Sequence, residues 1–256
     1  MKLKRNVILH INTYPSFTFD RDIYYIVRVI IIGKRFVEQK AEQYSRYLTI
    51  ALMIVVFLSL ALLLTMGWSS VPFIMFLLIS LSPLVIYAER YSKGAEGERK
   101  IEESLKGVFD DSFILIGDLR LPGIRGNIDY VLVCPKGVFI IEVKNYSGYI
   151  VCEGDKWYKV GNTGLWYEIS SISKQVKFYA AYLGNFLRKR GIKVWVNPLI
   201  VFTDSSIRLE LRNPTVKILK LEELAEYITK KEDVLTLNEV NKTVDNIIMI
   251  TQLYSH

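Results

Sequence analysis

GNIDYVLVCPKGVFIIEVKNYSG, residues 126–148, reads as the two arms of a β-hairpin with one acid on each arm. Asp129 lies in NIDYVLVC and Glu142 in VFIIEVK, and the turn signal Pro135, Lys136, Gly137 separates two runs rich in Val and Ile. Strand side chains alternate faces, so Glu142 and Lys144 point the same way. A two-residue turn that pairs Cys134 with Gly137 sets Asp129 directly across from Glu142. A turn shifted by one residue sets Asp129 across from Lys144 instead. Either register gathers Asp129, Glu142 and Lys144 on one face.

The second arm is apolar almost throughout: Val138, Phe139, Ile140, Ile141 and Val143 form the pattern of a strand covered on both faces. A bare carboxylate inside such a strand costs several kcal/mol or more. Glu142 is therefore expected to be paired, bound to a cation, or placed where the core opens at the strand end. A strand-end salt bridge with Lys144 is the plain reading; the matched Asp129 is what adds a chemical one.

Upstream, GAEGERKIEESLKGVF turns helical from about Ala95 after a flexible entry at Gly94 and Gly97. Glu98, Ile101, Leu105 and Val108 share one stripe, which turns Glu98 toward the core or into a site, while Glu96 and Glu103 face solvent. Residues 112–117 read as a strand. Downstream, residues 149–152 and 157–160 read as short strands. Residues 172–190 form an amphipathic helix with Ile172, Val176, Tyr179, Leu183 and Phe186 inward, Gln175 on the flank and Gly191 at its end. A core strand follows at 194–202, then strands near 207–211 and 216–219 and helices from about Leu221 and Asn238.

Residues 48–88 contain no charge across 41 positions, room for two spans of about 20 residues each. Residues 48–66 and 71–88 would be the spans of a two-helix transmembrane hairpin, with residues 67–70 as the turn, Pro83 as a kink, and Trp68, Tyr44, Tyr47 and Tyr87 at the interfaces. The competing reading is a buried helical hairpin of a soluble bundle. Before residue 48 the chain has nine Lys and Arg against four Asp and Glu; after residue 88 it has 24 against 22. The positive-inside rule puts both ends in the cytoplasm at the cell membrane. In residues 1–47, a short strand near 6–11 and a helix capped by Asp20, with Ile23, Ile26, Val27, Ile30 and Ile31 in a stripe, are expected; that helix suits either the bilayer surface or the soluble domain.

Two cysteines, Cys134 and Cys152, and histidines only at His10 and His256 exclude a Cys/His zinc site. A transporter reading finds no charge within the apolar stretch to line a path. Net charge does not demand a nucleic-acid surface, although Lys174, Lys177, Arg188, Lys189, Arg190 and Lys193 can make a local patch.

The order helix, three strands, helix, strand, with acids on the second and third strands, resembles the PD-(D/E)XK restriction-endonuclease-like superfamily. GAEGE at 94–98, LPGIRGNIDYVLVCPKGVFIIEVKNYSG at 121–148 and the glutamine of the next helix resemble the nuclease-related, or NERD, domain over residues 94–204. The resemblance implies an α/β fold with an αβββαβ core and mixed sheet, divided as residues 1–47, the membrane hairpin 48–88, the nuclease-like domain 89–204 and an α/β extension 205–256. It implies hydrolysis of nucleic acid, DNA before RNA, with Mg²⁺ or Mn²⁺. Asp129 and Glu142 match the metal-binding acids, with the Val143 carbonyl within reach and Glu98 completing or orienting the shell; Lys144 matches the lysine of the ExK element and Gln175 the helix glutamine. Nucleic acid and the lipid bilayer are the implied partners, a homo-oligomer is compatible, and a tethered binding module without turnover is the alternative.

Overall fold

A computed structural model describes residues 9–12, 28–32, 36–106, 108–124, 126–161 and 163–253. The chain divides into two units, residues 34–96 and a larger one made of residues 1–33 and 97–256.

The larger unit is mixed α/β with mixed sheets. Among the described residues its main sheet has seven strands in the order β1 (Leu9–Asn12), β2 (Arg28–Ile32), β3 (Ile114–Leu119), β4 (Ile128–Cys134), β5 (Gly137–Lys144), β9 (Val196–Phe202) and β11 (Lys217–Lys220). The β3–β4–β5 meander is antiparallel, whereas β9 runs parallel to both β5 and β11. Strand alternation splits the core into two clusters. Ile114, Ile116, Val131, Val133, Val138, Ile140 and Ile200 pack with Ile172, Val176 and Leu183 of α4 (Ile172–Lys189) and with Val240, Val244 and Ile247 of α6 (Leu237–Leu253). On the other face Leu115, Tyr130, Leu132, Phe139, Ile141, Val143 and Val201 pack with Ile101 and Leu105 at the end of α3 (Ser82–Leu105), with Phe109 and Phe113, and with Leu224 and Ile228 of α5 (Leu221–Thr229).

A smaller sheet, in the order β10 (Arg208–Arg212), β6 (Tyr149–Glu153), β7 (Lys156–Val160), β8 (Trp166–Ile169), joins the α4 side through Ile150, Cys152 and Trp157. The Trp157 indole N–H donates to Ser173 Oγ at 2.8 Å, which satisfies its polar atom in the core. Strand β8 was not expected from the sequence, because its four residues lie just beyond a loop and three of them are exposed.

The N-terminal expectation needs correction. Arg28–Ile32 is not part of an interfacial helix but a strand that pairs parallel to β3, Arg28 with Ile114 through Ile31 with Gly117. The run RVIII is β-branched at four of five positions, which favours a strand once an edge is available. Asp20, Ile23, Ile26 and Val27 lie outside the described residues. Strand β1, at the expected place, pairs antiparallel to β2.

The smaller unit is helical: α1 (Phe36–Met66), a 3-10 turn at Gly67–Ser70, α2 (Val71–Ser80), and the first part of α3. The helical segment Phe36–Leu105 is long and apolar enough to cross a membrane, and only 6% of its most apolar window is buried. Phe57, Leu64 and Phe76 are 72%, 79% and 69% exposed, unlike the core helices of a soluble bundle. Helix α2 stops at Leu81, just before Pro83, whose ring cannot accommodate an unbroken ladder. Tyr44 stacks on Tyr87 and Tyr91 at 5.6 and 5.2 Å between ring centroids.

Gly94 and Gly97 are not a flexible entry; α3 runs through both. They serve close approach. A Cβ at Gly94 would lie 2.9 Å from Val37 Cγ1, and one at Gly97 would lie 2.9 Å from both Asn145 Cβ and Thr203 Oγ1. Helix α3 ends at Leu105, so Val108 falls off the stripe and is 42% exposed while Phe109 takes the buried place. In α4 the inward position near the C-terminus belongs to Leu187, with Phe186 half-buried beside it.

Candidate active site

The hairpin turn pairs Cys134 with Gly137, and the ladder runs to Tyr130–Ile141. One step further it sets Asp129 across from Glu142, the first of the two registers allowed by the sequence. In an antiparallel pair with this turn, Asp129 and Glu142 fall at a non-hydrogen-bonded position, where facing Cα atoms approach to about 4.5 Å. Beyond that step the hairpin opens. Ile128 pairs with Leu119 of β3, and the Val143 N–H donates to Asp129 Oδ2 at 2.7 Å.

Glu142 is 1% exposed. Its Oε1 accepts from Lys144 Nζ at 2.5 Å and from Gln175 Nε2 at 2.9 Å. Its Oε2 is buried and has no hydrogen-bond partner. Burying a carboxylate oxygen without a donor is costly, so this oxygen is the feature that calls for a cation. The donor set fits a hard divalent ion: the carboxylates of Asp129 and Glu142, with the Val143 carbonyl on the same strand edge as its N–H. Among the described residues no group of three or more His, Cys, Asp or Glu is gathered for a metal ion. A cation here would be held by two carboxylates, a backbone oxygen and water.

Burial and the facing Glu142 push the Asp129 carboxyl up to about 7, against the pull of Lys144 and the Val143 N–H. Burial draws the Lys144 ammonium down, but Glu142 and Asp129 outweigh it and hold the group above its ordinary value. Lys144 is therefore a fixed positive charge at neutral pH.

Four of the five side chains singled out by the sequence thus meet: Asp129, Glu142, Lys144 and Gln175. Glu98 is nearly buried, on the α3 stripe with Ile101 and Leu105, and these pack on the opposite sheet face from Glu142. The Tyr130 hydroxyl lies 3.1 Å from the Glu98 carbonyl oxygen and 3.0 Å from Glu102 Oε1. Gly97 seats this turn of helix against the ends of β5 and β9.

Two neighbours were missed. Asp118, at φ 54°, sits between the pairs Gly117–Tyr130 and Leu119–Ile128, and its charge raises Asp129 further. Its Oδ1 accepts from the Asn127 amide, which in turn accepts from Arg120 Nε at 3.0 Å. Extending the β3–β4 register would have placed it. Tyr179 was read only as core; burial, and then Glu142, raise its hydroxyl, and a hydrogen bond with Gln175 opposes them. Gly126, at φ +100°, lets the loop approach this hydroxyl, where a Cβ would be 3.0 Å away.

Residues 93–203 match the model of the family NERD, the nuclease-related domain. No curated relative and no solved structure matches the chain.

Proposed function

We propose that this chain, which carries a nuclease-related domain over residues 93–203, is a membrane-anchored nuclease that hydrolyses phosphodiester bonds of nucleic acid, DNA before RNA, with Mg²⁺ or Mn²⁺. The observation that carries the reading is the buried, unpartnered Oε2 of Glu142 across from Asp129, with Lys144 and Gln175 on the other oxygen. The sequence of elements α3, β3–β5, α4, β9 supports a PD-(D/E)XK-type core.

Asp129 and Glu142, with the Val143 carbonyl, would hold the divalent cation; Glu98, whose stripe packs on the other face of the sheet, would orient that shell only indirectly, through the seat of α3 against the ends of β5 and β9. Bound there, the cation supplies Lewis-acid stabilisation of the phosphoryl oxygens and lowers the pKa of a water. Gln175 fixes the orientation of Glu142. Lys144 brings a permanent positive charge to the same carboxylates, where it balances the phosphate and orients the attacking water. Two spans, residues 48–66 and 71–88, anchor the protein with both ends in the cytoplasm. Supporting this are the exposed Trp68 in the turn and the Tyr44 stacks on Tyr87 and Tyr91.

The near balance of 24 basic against 22 acidic residues after residue 88 favours a second reading, a tethered binding module without turnover. The full chain in nanodiscs, given single-stranded DNA, duplex DNA and RNA with Mg²⁺, Mn²⁺ or EDTA, separates the two. Metal-dependent cleavage that disappears in Glu142→Gln supports the nuclease. No cleavage of any substrate leaves the binding module.

A further inference from the structure

Residues 169–203 carry six Lys and Arg and no Asp or Glu. This is α4 and the connection into β9, and α4 is the helix that delivers Gln175 to Glu142. Lys177 is engaged by Asp155 at 2.8 Å. Among the described residues, no carboxylate forms a salt bridge with Lys174, Arg188, Lys189 or Lys193, although the Asp155 charge also reaches Lys174. The solvent side of α4 is a continuous stripe of Lys174, Phe178, Ala181, Asn185, Arg188 and Lys189, all exposed. From Lys174 to Arg188 it measures about 21 Å at 1.5 Å per residue, the length of several nucleotides.

One open aromatic face lies in this stripe. Phe178 is 56% exposed, one turn from Gln175, and leans on Tyr179 and Tyr182 at 6.0 and 6.4 Å. Trp195, past the C-terminus of α4, is 77% exposed but turns away from α4, because Val194 and Val196 on either side of it pack on the α4 face of the sheet. The Arg190 guanidinium covers the Phe186 ring at 3.6 Å. Cations flanking an open ring face match a polyanion whose bases are free to stack. A duplex hides those faces and must be held by phosphate contacts alone, which a nearly neutral domain supplies poorly.

Resting on the nuclease reading, we infer that the substrate is a single strand laid along the outer stripe of α4, with an unpaired base stacked on Phe178, one turn from the Gln175 that reaches Glu142. Lys174, Arg188 and Lys189 contact its phosphates along the stripe.

The test uses the full chain in nanodiscs of neutral lipid with Glu142→Gln as background, and fluorescence anisotropy with a labelled single-stranded DNA, its blunt duplex, and the corresponding RNA. The single strand should bind at least about tenfold tighter than the duplex. Phe178→Ala should weaken it by at least about fivefold, the effect of losing one stacked base, and Phe178→Tyr should restore binding. Replacing Arg188 and Lys189 by Gln should lower the salt slope by about 1.4, or about 0.7 per phosphate contact. Equal binding of duplex and single strand with no effect of Phe178→Ala overturns the inference. So does a result in which the Arg188 and Lys189 replacements change only association with anionic vesicles of phosphatidylserine, since the patch is then a lipid surface. Phe178-dependent binding of the single strand by a wild-type chain that cleaves nothing would overturn the nuclease reading and leave α4 as a single-strand-binding surface without turnover.

Discussion

The Val143 N–H donates to Asp129 Oδ2 at 2.7 Å, in a position where an uninterrupted hairpin would give it a carbonyl of β4. Asp129 therefore has two jobs. It closes the backbone at the mouth of the hairpin, and it presents a carboxylate to Glu142.

The two roles separate by substitution. Asp129→Asn keeps an oxygen acceptor for Val143 and removes the charge, so cleavage should fall by at least about 100-fold, the upper end of the loss when even an outer partner of a metal ligand is removed, with no drop in Tm. Asp129→Ala also leaves the Val143 N–H without its acceptor, at about 1–3 kcal/mol. Its Tm should drop by several degrees more. Thermal melts and cleavage assays on both variants check this; equal melting temperatures would argue against the backbone role.

A pH dependence follows from the raised Asp129. Its folded-state pKa of about 7 lies above the ordinary 3.8, so the folded chain holds this proton more tightly than the unfolded chain between those values. The contribution is present in full below about 4 and is lost as pH rises through about 7. In EDTA, Tm should therefore slope downward over that window, and Asp129→Asn should flatten the slope. A cation competes with the same proton, so the rise in Tm produced by Mg²⁺ should grow from pH 5 to pH 8. A Mg²⁺ effect that shrinks over this range would contradict the assignment of Asp129 as a ligand.

The hairpin was legible because period-2 alternation, a two-residue turn and two acids at matched offsets all act locally. The same logic carried α4, whose buried stripe recurs every three to four residues. What failed depended on partners distant in sequence. RVIII at Arg28–Ile32 has helix-compatible spacing until β3 offers it an edge. Gly94 and Gly97 look like hinge residues until Val37, Asn145 and Thr203 appear beside them. Asp118 carries no motif, and only the β3–β4 register brings it to Asp129. The helical stripe of Glu98 allows either the core or a site, and only the packing of Ile101 and Leu105 shows that this stripe lies on the sheet face opposite Glu142.

Gly97 is the more demanding of the two helix glycines. Gly97→Ala would push a methyl to 2.9 Å from Asn145 Cβ and Thr203 Oγ1, both at strand ends with little freedom to retreat. Overpacking of this kind costs about 1–3 kcal/mol and shifts the turn that carries Glu98. Tm and cleavage should both fall. Gly94→Ala meets only Val37 Cγ1, within the helical unit, so it should leave cleavage unchanged. If Gly97→Ala cleaves at the wild-type rate, Glu98 does not need this seat for the chemistry.

The N-terminal strands make the last prediction. Deleting residues 1–33 removes β1 and β2 and leaves β3 as the edge of the main sheet, with the N–H and C=O groups that met Arg28–Ile31 open to solvent or to another chain. Strand β3 is apolar at Ile114, Leu115 and Ile116, so such an edge is a template for association. The site itself is built on β4, β5 and α4, and β4 keeps β3 as its neighbour. The truncated chain should therefore melt several degrees lower and elute as larger species from size exclusion, while its monomeric fraction cleaves at close to the full-length rate. Unchanged melting and a monodisperse profile would mean that β2 adds nothing to the stability of the sheet. A folded, monomeric but inactive truncation would mean instead that the N-terminal strands reach the chemistry.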